Sequence, residues 1–597
     1  MVKGSYTPHE VLYDPSTFHE RLLQLISTAQ SRILISALYL GTTQPKEVTL
    51  LQALERALLL NDELQISMIF DYSRCSRQNG SIIRCLHSLV SKFGLDRFKV
   101  HLYRMPQVES SPILAYLPSP ADEITAVYHA KFIVIDNTIL LTGANLSEEY
   151  FTNRQDRYHI FHDQCAFALL KEDLFRTLCN YSYKIRGMKP SDNNYQQHQN
   201  SPSSSYSIPL SELLDAPLLK HSSHEKKELL DVLYRHCSFN NEIDGNTCSC
   251  NDDAYRDVIR IKSYVEGEEF LLRRDKGDNE TRDDKRPTRK ERENLVLIPV
   301  LQHSSLGIDM ESKGLTQLLT SAKLWSTLTS KCHEILVSTP YPSFLSPLIQ
   351  AFSEQLNVNN NVKLIVPSPR SHGFGNATGW KSLVPLMHSS VLFQAIEEVN
   401  KLTCSSGRWS SSSSSSSGDD VSDKRKQMEV FLYTQDKWTY HAKGLWIFPV
   451  NSNDSSRGDV DSDSNRTTLH QEVCASYIGS SNMGHRSWTR DLELGYILCV
   501  NNRTVSTSAN VALANSSMVS LRREWSNLNI YSRRLETCNG VNPNIRQHLS
   551  HHHYHHHHRR HSHDNLRKSH TFNANILNVC WKTQLSRILG RTLHSFL

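Results

Sequence analysis

The chain has 597 residues, enough for two domains of ordinary size with room for insertions. Its 66 basic and 61 acidic residues leave a formal charge of +5, too balanced for a protein that coats nucleic acid. The 13 cysteines are scattered, with only Cys248 and Cys250 close together, so free thiols in a reducing compartment are expected rather than a disulfide framework.

The N-terminus soon meets Glu10 and Asp14 and lacks the Arg-rich, acid-poor character of a mitochondrial transit peptide. A helical pattern from Phe18 to Ala29 then leads into an apolar strand over Arg32 to Tyr39. A second strand over Leu64 to Asp71 feeds a polar loop carrying Arg74 and Arg77. Next comes Tyr128-His129-Ala130-Lys131, running into the apolar Phe132 to Ile135, Asp136 and the turn Gly143-Ala144-Asn145. Asp156 follows Asn145 by 11 residues and is flanked by Arg154 and Arg157. Residues 1–188 therefore read as one domain. Residues 189–294 read as a polar linker or insert, partly disordered, interrupted by a strand near Val258 to Tyr264.

The same order then returns. Glu334 to Tyr341 repeats the first strand and Val362 to Pro367 the second, the latter feeding a loop with Arg370. Tyr440-His441-Ala442-Lys443 lies 312 positions after the first such string and leads into Gly444 to Phe448. Gly479-Ser480-Ser481-Asn482 is the matching turn, and Glu493 again stands 11 residues beyond the asparagine, preceded by Arg486 and Arg490. Residues 295–535 form this second domain, with disorder-like inserts near 404–427 and 450–468, the latter an enlarged hairpin loop. The order of helices and short apolar strands predicts α/β layering: two homologous α/β/α sandwich domains across a pseudo-twofold axis, with the catalytic strands at their interface.

A His-rich low-complexity segment fills 536–575; its tract over His551 to His563 reads as a solvated linker rather than a catalytic metal site. Residues 576–597 carry Leu577, Trp581, Leu585, Leu589, Leu593 and Phe596 at helical spacing, with Lys582, Arg587 and Arg591 on other faces. Such an amphipathic helix suits either an anionic lipid surface or the protein's own core. No window approaches the ~18–20 apolar residues of a membrane span.

Chemistry accounts for the repeated residue types. Side chains two apart on a strand share a face, so His129 with Lys131, and His441 with Lys443, can address one cleft. One histidine can attack phosphorus covalently, and the other can protonate the leaving group and then deprotonate the acceptor. Lysines and the amides of Asn145 and Asn482 would stabilise the phosphoryl oxygens. Asp156 and Glu493 would each orient an imidazole. The scheme requires no metal and no cofactor.

The first string and its surroundings resemble the phospholipase D superfamily, His-x-Lys followed after four residues by Asp136 and then by the Gly-x-Asn turn. The second departs, with Phe448 where the aspartate would stand; the resemblance implies that this aspartate supports structure rather than attacks phosphorus. More narrowly, Leu141 to Tyr158, Ala37 to Thr42, Tyr440 to Trp446 and Ile478 to Ser487 resemble the eukaryotic phosphatidylglycerophosphate synthases, the CDP-diacylglycerol–glycerol-3-phosphate 3-phosphatidyltransferases. The resemblance implies His129, Lys131, Asp136, His441 and Lys443 as the catalytic set, with Asn145, Asp156, Asn482 and Glu493 in support. Its substrates would be CDP-diacylglycerol and glycerol 3-phosphate, reached from a peripheral position on a membrane surface, in the mitochondrion at the inner membrane, without nucleic acid. Two phosphate-bearing substrates call for bidentate donors, and Arg74, Arg77, Arg154 and Arg486 are the candidates. The alternatives are another phosphodiesterase of the superfamily, a phospholipase or a nuclease, and a scaffold without activity, against which the intact histidines and lysines argue.

Overall fold

Capping and alternation set up the layers. In the computed structural model, which describes residues 9–110, 125–187, 209–237, 295–320, 333–405, 427–450, 473–501 and 508–535, Asp14 caps the helix Pro15–Ser27 by accepting from Thr17 N, with proline in the first turn. The strands of the first half are β1 (His9–Leu12), β2 (Arg32–Ser36), β3 (Gln65–Asp71), β4 (Phe98–Tyr103), β5 (Phe132–Ile135), β6 (Thr138–Thr142), β7 (Arg154–Gln155), β8 (Tyr158–Phe161), β9 (Ser182–Ile185) and β10 (Leu214–Asp215). All but β7 form one nine-stranded sheet, in the order β1-β8-β6-β5-β2-β3-β4-β9-β10. Neighbours along β2 point to opposite faces. Ile33 and Ile35 join Phe18, Leu22, Leu50 and Leu54 of the helices Pro15–Ser27 and Pro45–Leu60. Leu34 faces the other way, into a core with Phe132, Val134 and the helix Cys165–Asn180.

The second half rebuilds this plan. Its strands are β11 (Leu295–His303), β12 (Ile308–Asp309), β13 (His333–Ser338), β14 (Asn361–Pro367), β15 (Glu429–Tyr433), β16 (Thr439–Tyr440), β17 (Gly444–Pro449), β18 (Val473–Gly479), β19 (Leu492–Asn501) and β20 (Ser532–Arg534). All but β16 form a second sheet, in the order β12-β11-β19-β18-β17-β13-β14-β15-β20. The run β8-β6-β5-β2-β3-β4-β9 thus matches β19-β18-β17-β13-β14-β15-β20 strand for strand. Pairing sense matches too: β2–β3–β4 and β13–β14–β15 are parallel, while β5 and β17 run antiparallel to β2 and β13. The two-domain α/β reading holds.

The halves share one core. Phe132, Phe161 and Phe167 lie in the same buried cluster as Ile298, Leu336 and Tyr496. The ring of Phe167 meets Tyr496 edge-on at 4.9 Å, a contact of about 0.5–1.5 kcal/mol beyond its burial. Backbone crosses between the halves as well. β7 pairs in parallel with β16, and Tyr128 bridges Leu492.

Several boundaries differ from the sequence reading. The His-x-Lys strings do not lie within the ladders: β5 begins at Phe132 and β17 at Gly444, so each string is the extended approach to its strand. Within the polar stretch 189–294, residues 209–237 are built onto the first half. β10 extends its sheet, and the helix Ser223–Cys237 buries Leu229, Val232 and Leu233. Those three are spaced to share a helix face, which the charged residues around them conceal. The proposed strand at 258–264, the Cys248/Cys250 pair, the insert over 451–468 and most of that over 404–427, the His-rich segment and the helix at 576–597 lie outside the described residues. Among the described residues no helix is long and apolar enough to cross a membrane.

Candidate active site

The two strings are held by the opposite half. His129 N donates to Leu492 O, beside Glu493, and His441 N donates to Gln155 O, beside Asp156. The side chains follow suit. His129 Nδ1 lies 2.9 and 3.0 Å from the carboxylate oxygens of Glu493, and His441 Nδ1 lies 2.7 Å from Asp156 Oδ2. Each imidazole is therefore oriented by a carboxylate from the other half, and Nε2 is the ring nitrogen turned away from it. All six groups of the cluster are buried: His129 at 8% exposure, His441 at 7%, and Lys131, Lys443, Asp156 and Glu493 at 2% or less.

The backbone behind the strings repeats equally closely. Ser36 Oγ meets Tyr128 Oη and donates to Ala130 O; Ser338 Oγ meets Tyr440 Oη and donates to Ala442 O. Asp71, at the end of β3, accepts from Tyr128 N at 2.8 Å and from Arg74 N at 2.7 Å, tying the arginine loop to the first string. Glycine at the Gly-x-Asn turn is explained by close approach. A Cβ on Gly143 would stand 2.6 Å from Asp156 Oδ1 and 2.7 Å from Lys443 Nζ.

The lysines differ. Lys443 Nζ donates to Asp156 Oδ2 at 3.1 Å and to Gly143 O, and lies 2.6 Å from His441 Nδ1. Lys131 Nζ donates to His129 O at 2.9 Å. Glu493 instead accepts from Ser480 Oγ. Electrostatics follow from these contacts. Burial would raise the Asp156 carboxyl, but Lys443 and then His441 hold it below the ordinary value. Burial pushes Glu493 up to about 7, with Lys131 and Ser480 only partly opposing it. Both histidines are driven well below their ordinary value by burial, then by the neighbouring lysine. Burial also lowers both lysines, Lys131 to about 7.

Asn145 donates to Tyr150 Oη at 3.1 Å, and that phenol lies 3.3 Å from His441 Nε2. The Oδ1 atoms of Asn145 and Asn482 are buried without a partner among the described residues. Of the arginines, Arg154 lies over the Tyr150 ring at 4.8 Å, pairs with Glu149 and donates to Thr439 Oγ1. Arg486 pairs with Asp491 at 3.0 Å, and Asp491 accepts from Val127 N. Arg74 lies over the Tyr39 ring at 4.7 Å. Arg154, Arg486 and Arg74 all act electrostatically on the Tyr341 phenol, whose ring centroid is 6.3 Å from that of His441. Arg77 opens the helix Arg77–Phe93 that follows the loop.

Asp136, grouped with the catalytic residues by sequence, does not join this cluster. It sits at the far end of β5, where its carboxylate accepts from Gln30 N, Ser31 N, Ser31 Oγ and Arg32 N at the start of β2. The second half, with Phe448 in that place, meets the same need from another element: Asn360 Oδ1 accepts from His333 N at the start of β13. Sequence reasoning missed Tyr150, Tyr341 and Ser480 as site residues, and it noted Arg157 only as a charge flanking Asp156. Arg157 forms a buried bidentate pair with Glu524 at 2.8 Å, donates to Tyr477 O and lies 4.0 Å over Trp446, bracing the residue next to Asp156 across the interface. A signal existed for Tyr341: Ser36 and Tyr39 recur as Ser338 and Tyr341 at the same spacing. Among the described residues no group of three or more His, Cys, Asp or Glu side chains is arranged to hold a metal ion.

A buried His–Lys–carboxylate pair facing its own repeat is suited to covalent phosphoryl transfer. Known proteins resemble the chain in sequence and fold. Residues 22–178 match the family model described as "Cardiolipin synthase, PLD-like domain". The mitochondrial CDP-diacylglycerol–glycerol-3-phosphate 3-phosphatidyltransferase of Gallus gallus is 24% identical over 504 residues, covering 83% of this chain and 75% of the relative. That of Saccharomyces pastorianus is 26% identical over 499 residues, covering 82% and 78%. Among solved structures, the phosphatidylserine synthase of Haemophilus influenzae Rd KW20 superposes with a TM-score of 0.50 at 16% identity, over 89% of this chain and 88% of that one, a likeness of fold. The chain thus carries a phospholipase D-like domain at residues 22–178 and is similar over 83% of its length to the CDP-diacylglycerol–glycerol-3-phosphate 3-phosphatidyltransferases.

Proposed function

We propose that the protein transfers a phosphatidyl group from CDP-diacylglycerol to glycerol 3-phosphate, giving phosphatidylglycerophosphate and CMP. The observation that carries this reading is the crossed pairing of His129 with Glu493 and His441 with Asp156, in a chain so similar to enzymes of that name. Nε2 of one histidine attacks the phosphatidyl phosphorus; an N–P bond forms as the bond to the CMP oxygen breaks, and the other imidazole protonates the departing CMP. The second imidazole then removes the proton from the primary hydroxyl of glycerol 3-phosphate as its oxygen attacks phosphorus and the N–P bond breaks. Lys131 and Lys443 stabilise the equatorial oxygens in both steps. Arg74, Arg77, Arg154 and Arg486 hold the pyrophosphate and the acceptor phosphate. The enzyme works from the surface of the mitochondrial inner membrane.

The test is to incubate purified protein with CDP-diacylglycerol and radiolabelled glycerol 3-phosphate. Label should pass into the lipid extract in step with CMP release. CMP and phosphatidic acid without labelled lipid would show water as the acceptor and assign a phospholipase instead.

A further inference from the structure

The two histidines differ at Nε2, the nitrogen that each turns away from its carboxylate. Tyr150 Oη lies 3.3 Å from His441 Nε2, and the same oxygen accepts from Asn145 Nδ2 at 3.1 Å. Burial drives this phenol far above its ordinary ionisation range, so Tyr150, 2% exposed, remains an O–H. With Asp156 holding Nδ1 at 2.7 Å, a directed chain of hydrogen bonds runs from Asn145 through Tyr150 and His441 to the carboxylate. The rings of Tyr150 and Tyr341 both stand edge-on to the imidazole, at 5.1 and 6.3 Å and each at 84°.

Nothing comparable surrounds the other imidazole. Among the described residues no aromatic ring packs against His129, and no hydrogen bond reaches its Nε2. The residue five positions after the turn asparagine is Tyr150 in the first half and Ser487 in the second. Ser487 Oγ accepts from Asn482 N at 3.2 Å and so turns back into its own half. A phenol in contact with Nε2 keeps that atom from phosphorus and suits it to proton exchange instead. A phosphatidyl-histidine is open to hydrolysis, and water outnumbers any alcohol, so a transferase must keep water from the imidazole that serves as base. Arg154 lies over the Tyr150 ring at 4.8 Å, which sets a phosphate-binding guanidinium one aromatic ring away from the capped nitrogen.

We infer that Tyr150 is a further catalytic and specificity-determining residue: its phenol holds the place of the acceptor oxygen at His441 Nε2, and glycerol 3-phosphate, anchored by its phosphate at Arg154, displaces it where water does not. The inference rests on the reading of the protein as a phosphatidyltransferase and adds the device that selects its acceptor. Once the phenol has moved, the primary hydroxyl occupies its place and gives its proton to His441 Nε2. Its oxygen bonds to phosphorus as the N–P bond to His129 breaks. Binding of the acceptor phosphate thus opens the base that the acceptor hydroxyl needs.

Product partition tests the inference. With CDP-diacylglycerol and radiolabelled glycerol 3-phosphate, the ratio of phosphatidic acid to phosphatidylglycerophosphate should rise about ten-fold in Tyr150→Ala. It should rise about three-fold in Tyr150→Phe, which keeps the ring and loses the oxygen. A residue that merely packed would lower both products together, so an unchanged ratio in a variant that still consumes the donor would overturn the inference. A second arm needs no turnover. Diethylpyrocarbonate on the intact protein, followed by peptide mapping, should modify His129 faster than His441 in the unaltered chain. Both Tyr150 variants should speed His441 at least several-fold relative to His129. Equal rates in the unaltered chain, or no acceleration in the variants, would overturn the cap. A cap that opens in this way in a protein transferring nothing to glycerol 3-phosphate would keep Tyr150 at His441 and reject the transferase reading.

Discussion

The His441 and His129 clusters have the same backbone but different protonation. Around His441, Lys443 touches Asp156 directly and keeps the carboxylate ionised. Around His129, the lysine turns back to its own strand, a serine hydroxyl takes its place on Glu493, and the carboxyl is pushed up to about 7. The residues that follow the carboxylates differ as well. Arg157, directly after Asp156, is anchored across the interface by its pair with Glu524, whereas Leu494 stands after Glu493. A duplicated frame has thus been given one permanently charged imidazole partner and one that titrates near neutrality. The proposed reaction, in which the two histidines take successive and opposite proton duties, calls for that kind of inequality.

The largest expected effect ignores the difference. His129→Ala and His441→Ala should each lower turnover by at least about 10^4-fold, since no neighbouring group replaces a nucleophile or its acid–base partner. Near-normal turnover in either folded variant would break the two-half site.

Carboxylate variants bring the difference out. Asp156→Asn removes an ionised partner and should cost about 10^2–10^4-fold in kcat. Glu493→Gln removes a group already half protonated at neutral pH, and its loss at pH 7 should be smaller by about an order of magnitude. The pH profile carries the sign. Glu493 becomes ionised as pH rises through about 7 while Lys131, lowered to about 7, gives up its charge over the same interval, so the unaltered protein should show a bell-shaped profile whose acid limb belongs to Glu493 and whose basic limb belongs to Lys131. Glu493→Gln should lose this acid limb and Asp156→Asn should keep it; the reverse pattern would exchange the two assignments.

Stability separates the halves next. Arg157→Met leaves the buried Glu524 carboxylate without its bidentate partner and should destabilise by about 3–5 kcal/mol, read from denaturant unfolding. Leu494→Met, at the matching position, should cost less than about 1.5 kcal/mol. The smallest effect belongs to the strand-start acceptors. Asp136→Ala and Asn360→Ala should each cost on the order of 1–3 kcal/mol while kcat stays within a few-fold of the unaltered protein. A collapse of kcat in a folded Asp136→Ala variant would return this residue to the chemistry.

Much of this was legible in the chain, and what was not has physical reasons. The two His-x-Lys strings, the turns and the carboxylates at matched spacing identify the six central groups, because each is a local pattern in an apolar setting. Spacing cannot tell which carboxylate meets which imidazole. Asp156 and His129 belong to the same half, yet their partners are decided by how two sheets dock, through β7 with β16 and Tyr128 with Leu492. Asp136 was grouped with the catalytic residues as a member of the motif, while the structural role that the resemblance implied for it is the one its hydrogen bonds at the far end of β5 display. The helix Ser223–Cys237 was hidden by composition: three buried apolar residues suffice when a sheet edge and a neighbouring helix cover them. Tyr150 and Ser480 act through contacts with residues on other elements, which no local pattern encodes.

The crossed pairing also has a consequence for timing. A nascent chain whose first half has already folded holds His129 without Glu493, and an Asp156 with no imidazole to orient. The second half, folded but not yet docked, is equally incomplete. In the proposed reaction, competence therefore arrives only when the two sheets close on each other, because neither half alone holds a complete histidine–carboxylate pair. Docking is the switch that turns on the chemistry, and a chain that stalls before it stays inert.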